Sequence, residues 1–244
     1  MDFSLTEEQE LLQETVRNFV AKECPPQMVR AIFDGERQLV PEADGADLFV
    51  IGCRGGVLAL VEAGTGVRIT AEPTLDRGRP LVTVDLDGAP AEALGTAFSE
   101  QLVDAGCVLL AADAFGAAHQ IVRATAAYLQ SRRQFGQPVA QFQAVKHQLA
   151  NMALDIDPTR GLWWYAAHAF DHVPAEASCA AALAKAHITE RAQQVARDAV
   201  EAHGGIGFTW ESDVHIWFKR VMFDRLWLGA PELHRDRFAV LEGW

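Results

Sequence analysis

Residues 131–143 read Ser-Arg-Arg-Gln-Phe-Gly-Gln-Pro-Val-Ala-Gln-Phe-Gln, and residues 202–211 read Ala-His-Gly-Gly-Ile-Gly-Phe-Thr-Trp-Glu. In the first stretch, Arg132 can offer a guanidinium fork to a diphosphate, and Phe135 can offer a ring face to a purine. In the second, Gly204 and Gly205 let the backbone come close to such a ligand, because glycine has no Cβ. Taken singly, each stretch also suits ordinary turn or helix-packing glycines.

The composition narrows the classes of partner. The chain has 244 residues, of which 50% are hydrophobic, and a formal net charge of −12. This charge argues against nucleic acid or an anionic membrane surface as the main partner. The four cysteines are far apart and show no metal-ligand spacing, so we expect free thiols and no metal: Cys24, Cys53, Cys107 and Cys179.

The order of patterns along the chain predicts an α+β fold that is mainly α. An amphipathic helix capped by Thr6 is expected over residues 5–34, with no signal-peptide pattern before it. Short β-type runs between glycines then predict a small antiparallel sheet with strands at Asp47–Gly52, Gly56–Glu62, Val67–Ala71 and Pro80–Leu86. Helical patterns follow at residues 96–131, 138–156, 160–171 and 175–203, with a broken pair over 211–241.

Three domains follow from these patterns: residues 1–38, 39–95 and 96–244. The alanine-rich helical faces of the last domain allow close helix approach and favour a four-helix bundle. No apolar run approaches the roughly 20 residues that a membrane span requires.

In their order and spacing, the two opening motifs resemble the carboxyl-terminal domain of acyl-CoA dehydrogenases, the FAD enzymes that desaturate acyl-CoA thioesters. The order of helix, sheet and bundle resembles that family's layout in shortened form. The resemblance implies a truncated N-terminal helical segment, an abbreviated middle β domain and a C-terminal four-helix bundle. The stretch that carries the family's flavin-ring loop and much of its acyl pocket has no counterpart in this sequence.

The resemblance also assigns cofactor contacts. It implies that Arg132 contacts the FAD pyrophosphate and that Phe135 packs on the cofactor, both across a dimer interface in the neighbouring subunit's site. Gln143 matches a polar residue near the adenine, and residues 204 and 205 match the backbone that approaches the diphosphate. Glu201 stands where the family usually has glutamine, and its carboxylate repels a diphosphate unless a cation such as Arg132 neutralises it.

The catalytic base of the family has no direct match. The family places its glutamate at one of two positions, which correspond to Leu228 and Gly106 in this sequence. Asp104 and Glu232 are nearby carboxylates that can substitute for it. The alternative interpretations are a solvated helix-face acid for Asp104 and a helix-start acid for Glu232.

Three functions remain open at this stage. The first is a cytoplasmic, non-catalytic subunit of a heteromeric FAD-dependent acyl-CoA dehydrogenase. It would resemble the shortened subunits of actinobacterial α2β2 enzymes that act on steroid side-chain CoA thioesters, with a full-length partner supplying the glutamate. The second is a homomeric acyl-CoA dehydrogenase with its base at Asp104 or Glu232. The third is a non-enzymatic scaffold on a degraded acyl-CoA dehydrogenase fold.

Overall fold

The computed structural model describes residues 46–52, 57–72, 76, 78–79, 81–95 and 99–244. The predicted helix over residues 5–34, its Thr6 cap and the thiols of Cys24 and Cys53 lie outside these residues. The described chain divides into two compact units, one formed by residues 46–49 and 61–90, the other by residues 50–60 and 91–244. The domain bounds 1–38, 39–95 and 96–244 stay a prediction.

The described strands before the helices are β1 (Leu48–Gly52), β2 (Leu58–Glu62), β3 (Val67–Glu72), β4 (Leu81–Leu86) and β5 (Ala91–Gly95). They form a three-stranded sheet in the order β1-β2-β5 and an antiparallel β3-β4 pair. The expectation of one sheet was therefore wrong, and β5 was missed. Its sequence, Ala-Glu-Ala-Leu-Gly, is exposed throughout and poor in β-branched residues, so it carries little strand signal.

The remainder of the described chain is helical. Its helices are α1 (Ser99–Ser131), α2 (Gln143–Ile156), α3 (Arg160–His172), α4 (Pro174–His203), α5 (Val214–Leu226) and α6 (Pro231–Leu241). Between α1 and α2 lies a small hairpin of β6 (Arg133–Gln134) and β7 (Gln137–Pro138), followed by a short 3₁₀ turn, Val139–Gln141. The predicted helix start at residue 138 was therefore wrong, because that residue belongs to β7.

Helix α4 lies at the centre of the bundle and packs against all the other helices named above. Helices α1 to α4 make the predicted four-helix bundle; α5 packs against α1 and α4, and α6 packs against α4. Alanines on α4 let its neighbours approach closely, and larger side chains such as Ile121 and Ile188 are fully buried between the helices. Burial of each such isoleucine contributes roughly 2 kcal/mol. Proline at the start of α4 and Gly204 at its end, with φ 65°, set the limits of this helix.

The length and composition of α1 alone would let it cross a bilayer. Within Glu100–Ser131, an 18-residue window reaches a mean hydropathy of 1.4, although Asp104 and Asp113 interrupt the apolar residues of this helix. Half of that window is buried inside the protein. A core helix of a bundle has the same composition, and α1 supplies much of the bundle core, including Cys107, Ala111, Ala118 and Ile121.

Candidate functional site

A cavity of about 340 Å³ lies where the end of α1 meets the end of α4. It brings together four residues singled out from the sequence: Arg132, Glu201, Gly204 and Gly205. Phe135 and Gln143 do not line it. Gln143 is the exposed first residue of α2, and Phe135 lies at the tip of the β6-β7 hairpin. The other lining residues are Tyr128, Leu129, Val139, Ala202, His203 and Ile206.

The backbone of Arg132 is fixed on both sides. Its amide donates to the Tyr128 carbonyl at 2.8 Å, and its carbonyl accepts from the Val139 amide at 2.8 Å. Its side chain is exposed and makes no hydrogen bond or ion pair with any residue that the structure describes. The main chain of Arg132 is therefore fixed beside the cavity, and its guanidinium remains available to an external anion.

Tyr128 is a cavity residue that the sequence motifs did not reveal. Its ring stacks on that of His203 with centroids 4.5 Å apart and planes 12° apart. The Nδ1–H of His203 donates to the Ala199 carbonyl at 2.8 Å, which fixes the imidazole against the end of α4. The signal that could have identified Tyr128 is its position four residues before Arg132, which places both on one helix face.

The glycines of the second motif have different roles. A Cβ added at Gly204 or Gly205 would meet nothing within 4 Å, so open space lies in front of both residues. A Cβ added at Gly207 would lie 2.4 Å from the Val200 carbonyl oxygen. Gly207 is therefore required for packing inside the protein, whereas the first two glycines face space that a ligand can enter.

Phe135 combines backbone strain with exposure. Phe135 and Gly136 form the two-residue turn of the hairpin with φ of 52° and 81°, the pattern of a type I′ turn. This conformation suits glycine, and an L-residue with a Cβ is destabilised in it by about 1 kcal/mol. The Phe135 ring is 92% exposed, with one edge-on contact to Phe142 at 6.1 Å between centroids. Phe135 thus combines a strained backbone with an almost fully exposed ring.

Comparison with known proteins identifies the fold. Residues 93–240, more than half of the chain, match the acyl-CoA dehydrogenase C-terminal domain. The chain belongs to the acyl-CoA dehydrogenase family.

Two solved structures and one curated relative are informative about this acyl-CoA dehydrogenase chain. It is 35% identical over 171 residues to acyl-CoA dehydrogenase IpdE2 of Mycolicibacterium smegmatis, covering 70% of this chain and 51% of that protein. It superposes on a variant of the Tcur3481-Tcur3483 steroid ACAD with a TM-score of 0.71 at 32% identity, covering 76% of this chain and 51% of that one. For the ChsE4-ChsE5 complex of Mycobacterium tuberculosis the TM-score is 0.73 at 28% identity, with 80% and 55% covered. The chain thus spans about half the length of these relatives.

Gly106 and Leu228, which the sequence comparison predicted to match the family's catalytic glutamate, lie against each other. A Cβ added at Gly106 would lie 2.4 Å from Cδ1 of Leu228, so the leucine side chain fills the space above the glycine. Leu228 has φ 58° and is, with Phe135, one of two described non-glycine residues with positive φ. Both strained residues are positions that the sequence analysis singled out.

The neighbours of Leu228 are held inside the protein. His234 is 1% exposed, and its Nε2–H donates to the Leu228 carbonyl at 3.0 Å. Burial lowers the pKa of His234 below its usual value, because desolvation disfavours the charged ring. Burial raises the pKa of the adjacent Cys107 thiol to about 11. The Cys107 thiol is therefore not poised for nucleophilic chemistry near neutral pH.

The two substitute carboxylates are engaged elsewhere. Asp104 is 3% exposed and accepts hydrogen bonds from Ser178 Oγ and Arg237 Nη2, each at 2.6 Å. Its interpretation as a solvated helix-face acid was therefore wrong, because Arg237 of α6 neutralises it and Ser178 of α4 donates a hydrogen bond to it. The Glu232 side chain is 63% exposed in the first turn of α6 and pairs with Arg225 at 3.1 Å, as a helix-start acid does. Neither carboxylate lines the cavity.

The described residues hold no group of three or more His, Cys, Asp or Glu side chains that could bind a metal ion. Cys107 and Cys179 are free thiols, the first buried and the second half-buried.

Proposed function

We propose that this chain is the shortened, non-catalytic subunit of a heteromeric FAD-dependent acyl-CoA dehydrogenase. It lends Arg132 and Phe135 to the FAD site of a full-length partner subunit. One contrast in the structure supports this proposal most directly. The residues expected to contact FAD are accessible to another molecule, whereas the space at the expected position of the catalytic glutamate is filled. The guanidinium of Arg132 is available and Phe135 is exposed, whereas the Leu228 side chain fills the space above Gly106.

The cavity residues fit a diphosphate. Arg132 supplies a bidentate cation, and the open backbone at residues 204 and 205 lets phosphate oxygens approach without meeting a Cβ. Glu201 opposes this fit, because its carboxylate lines the same cavity. The adjacent guanidinium offsets that charge, so we expect diphosphate binding that is weaker than with glutamine at position 201.

The hairpin tip suits a contact with another chain. The Phe135 ring projects from a rigid two-residue turn and buries little of its surface on its own protein. An aromatic contact of this kind is worth about 1 kcal/mol beyond its buried area. Gln143, exposed at the start of α2, is proposed to contact the adenine end of the same cofactor.

The reaction is divided between two chains. When bound, FAD supplies the acceptor for the hydride that leaves the β-carbon of the acyl-CoA. Arg132, Phe135 and the backbone of residues 204 and 205 hold and orient that cofactor. Removal of the α-proton belongs to a glutamate of the partner, since Leu228 and Gly106 carry no titratable group.

Relatives of the chain guide the choice of partner and substrate. One solved relative is described as a steroid ACAD with two named components, and another as a complex of ChsE4 with ChsE5. We extend both features to this chain and propose that it assembles with a full-length subunit and acts on a steroid side-chain acyl-CoA. We further propose an α2β2 stoichiometry and a cytoplasmic location. The bound acyl-CoA lies mainly on the partner.

The test is co-purification with a full-length acyl-CoA dehydrogenase subunit, followed by flavin absorbance and acyl-CoA-dependent dye reduction. Arg132→Ala in this chain is expected to lower the flavin content of the complex at least tenfold, because an ionic hydrogen bond contributes roughly 1.5–3 kcal/mol. Arg123→Ala is the matched control, since Arg123 is exposed on α1, nine residues before Arg132 and about 13 Å along the helix axis from it.

Two results would contradict the proposal. Flavin and acyl-CoA-dependent dye reduction in this chain alone would indicate a homomeric enzyme. Absence of flavin from both the chain and its complexes would indicate a scaffold.

A further inference from the structure

The turn between α5 and α6 is held from inside by a buried ammonium group. Lys185, on the central helix α4, is 0% exposed. Its Nζ donates to the carbonyl oxygens of Asp224 at 2.7 Å, Arg225 at 3.1 Å and Gly229 at 3.1 Å. Asp224 and Arg225 belong to the last turn of α5, and Gly229 follows the strained Leu228.

The chemistry of this contact is that of a helix C-terminal cap supplied from another helix. The last carbonyls of a helix have no intrahelical partner and carry the negative end of its dipole. An ammonium group has three N–H donors and no acceptor, so it can serve three converging carbonyls at once. Burial lowers the pKa of Lys185 to about 8, because desolvation disfavours the charged ammonium group.

Leu228 is held by the same arrangement. The neighbouring carbonyl at Gly229 binds Lys185, and the Leu228 carbonyl binds His234 at 3.0 Å. The Gly229 amide donates to the Leu226 carbonyl at 3.1 Å. A leucine at φ 58° persists only where its surroundings impose that conformation, and these contacts impose it.

We propose that Lys185 is the positioning residue of the turn at residues 226–229, and that it holds the Leu228 side chain against Gly106. The inference concerns this chain's own packing and does not depend on the proposed function. The backbone of residues 226–229 therefore keeps its conformation even though the residue at the tip of the turn, Leu228, has an apolar side chain.

The first test is hydrogen exchange of the turn amides in Lys185→Met, which keeps most of the side-chain volume and removes the donors. We expect the amides of Trp227 and Gly229 to exchange about tenfold faster than in the wild type, with exchange in α2 and α3 unchanged. Lys146→Met, at an exposed lysine on α2, is the matched control and should leave the turn amides unaffected. Unchanged exchange at the turn, or an equal increase in every helix, would overturn the proposal.

The second test measures an energetic coupling between two substitutions, a quantity that general destabilisation of the protein does not change. If Lys185 holds Leu228 on Gly106, the energetic coupling between Gly106→Ala and Leu228→Ala should fall to less than half in the Lys185→Met background. An unchanged coupling would refute the positioning role. If Lys185→Met does not fold, hydrogen exchange of the wild type still tests the inference. The Trp227 and Gly229 amides should be protected from exchange as strongly as those of α4. Exchange at the rate of an unprotected turn would refute the inference.

Discussion

The contact between Gly106 and Leu228 gives the most quantitative prediction. A Cβ at position 106 would lie 2.4 Å from Leu228 Cδ1, where ordinary contacts begin at 3.4 Å, so Gly106→Ala creates an overlap of about 1 Å. Overpacking of this size destabilises by about 1–3 kcal/mol. Leu228 is 40% exposed and can rotate partly outwards, which places the penalty at the lower end of that range.

Helix propensity acts in the opposite direction. Gly106 lies inside α1, where alanine is more favourable than glycine by about 1 kcal/mol. In the wild type the two effects nearly cancel, so Gly106→Ala should change the free energy of unfolding by less than about 1 kcal/mol. In the Leu228→Ala background the overlap is gone, and the same substitution should stabilise by about 1 kcal/mol. The expected coupling is therefore at least about 1 kcal/mol.

Urea unfolding of the four variants measures this coupling. Gly116→Ala is the control on the same helix, because a Cβ there meets nothing within 4 Å. It should stabilise equally in both backgrounds. If Gly106→Ala also stabilises equally in both backgrounds, Leu228 does not fill the space above Gly106. The position expected for the catalytic glutamate would then not be blocked by the leucine side chain.

Three further predictions concern the strained turn, the cavity charge and the buried lysine. Phe135→Gly should raise the free energy of unfolding by about 1 kcal/mol through relief of the φ of 52°, while lowering flavin retention of the partner complex. Glu201→Gln should tighten binding of ADP or FAD up to about fivefold, most at low salt, because it removes a screened repulsion worth at most about 1 kcal/mol. The pKa of Lys185 is lowered from 10.5 to about 8, so between these values the unfolded chain binds more protons than the folded one. Stability relative to Lys185→Met should therefore rise with pH across this window, by up to roughly 3 kcal/mol in urea titrations.

Each of these predictions has a result that would contradict it. A less stable Phe135→Gly protein with normal flavin retention would make the ring structural. Glu100→Gln is the exposed-acid control for the cavity charge, and an equal effect of both substitutions would remove Glu201 from the site. Parallel pH profiles of the wild type and Lys185→Met would mean that Lys185 does not titrate in this window.

The sequence predicted the helical part of the fold well. Long alanine-rich stretches with helical spacing and terminal Pro or Gly signals define α1, α3 and α4 almost to the residue, because local propensity and packing agree there. The β region was predicted less completely. Strand β5 lacks the β-branched residues that mark a strand, and its pairing depends on residues distant in sequence.

The candidate site was predicted in part. The two motifs correctly indicated that Arg132, Gly204 and Gly205 line one cavity, since they follow the ends of α1 and α4. It could not show that Asp104 is buried against Arg237, because that pair joins helices separated by more than a hundred residues. The role of Lys185 was equally hidden, since a lysine on an alanine-rich helix suggests a solvated face until three distant carbonyls are found around it.

The proposal that the FAD site is shared between this chain and a partner subunit is tested most directly by flavin content. This is measured for the chain alone and for its complex with a full-length acyl-CoA dehydrogenase subunit. We expect a colourless chain alone, a yellow and active complex, and loss of flavin from that complex on Arg132→Ala but not on Arg123→Ala. A yellow chain that oxidises acyl-CoA without a partner would contradict it.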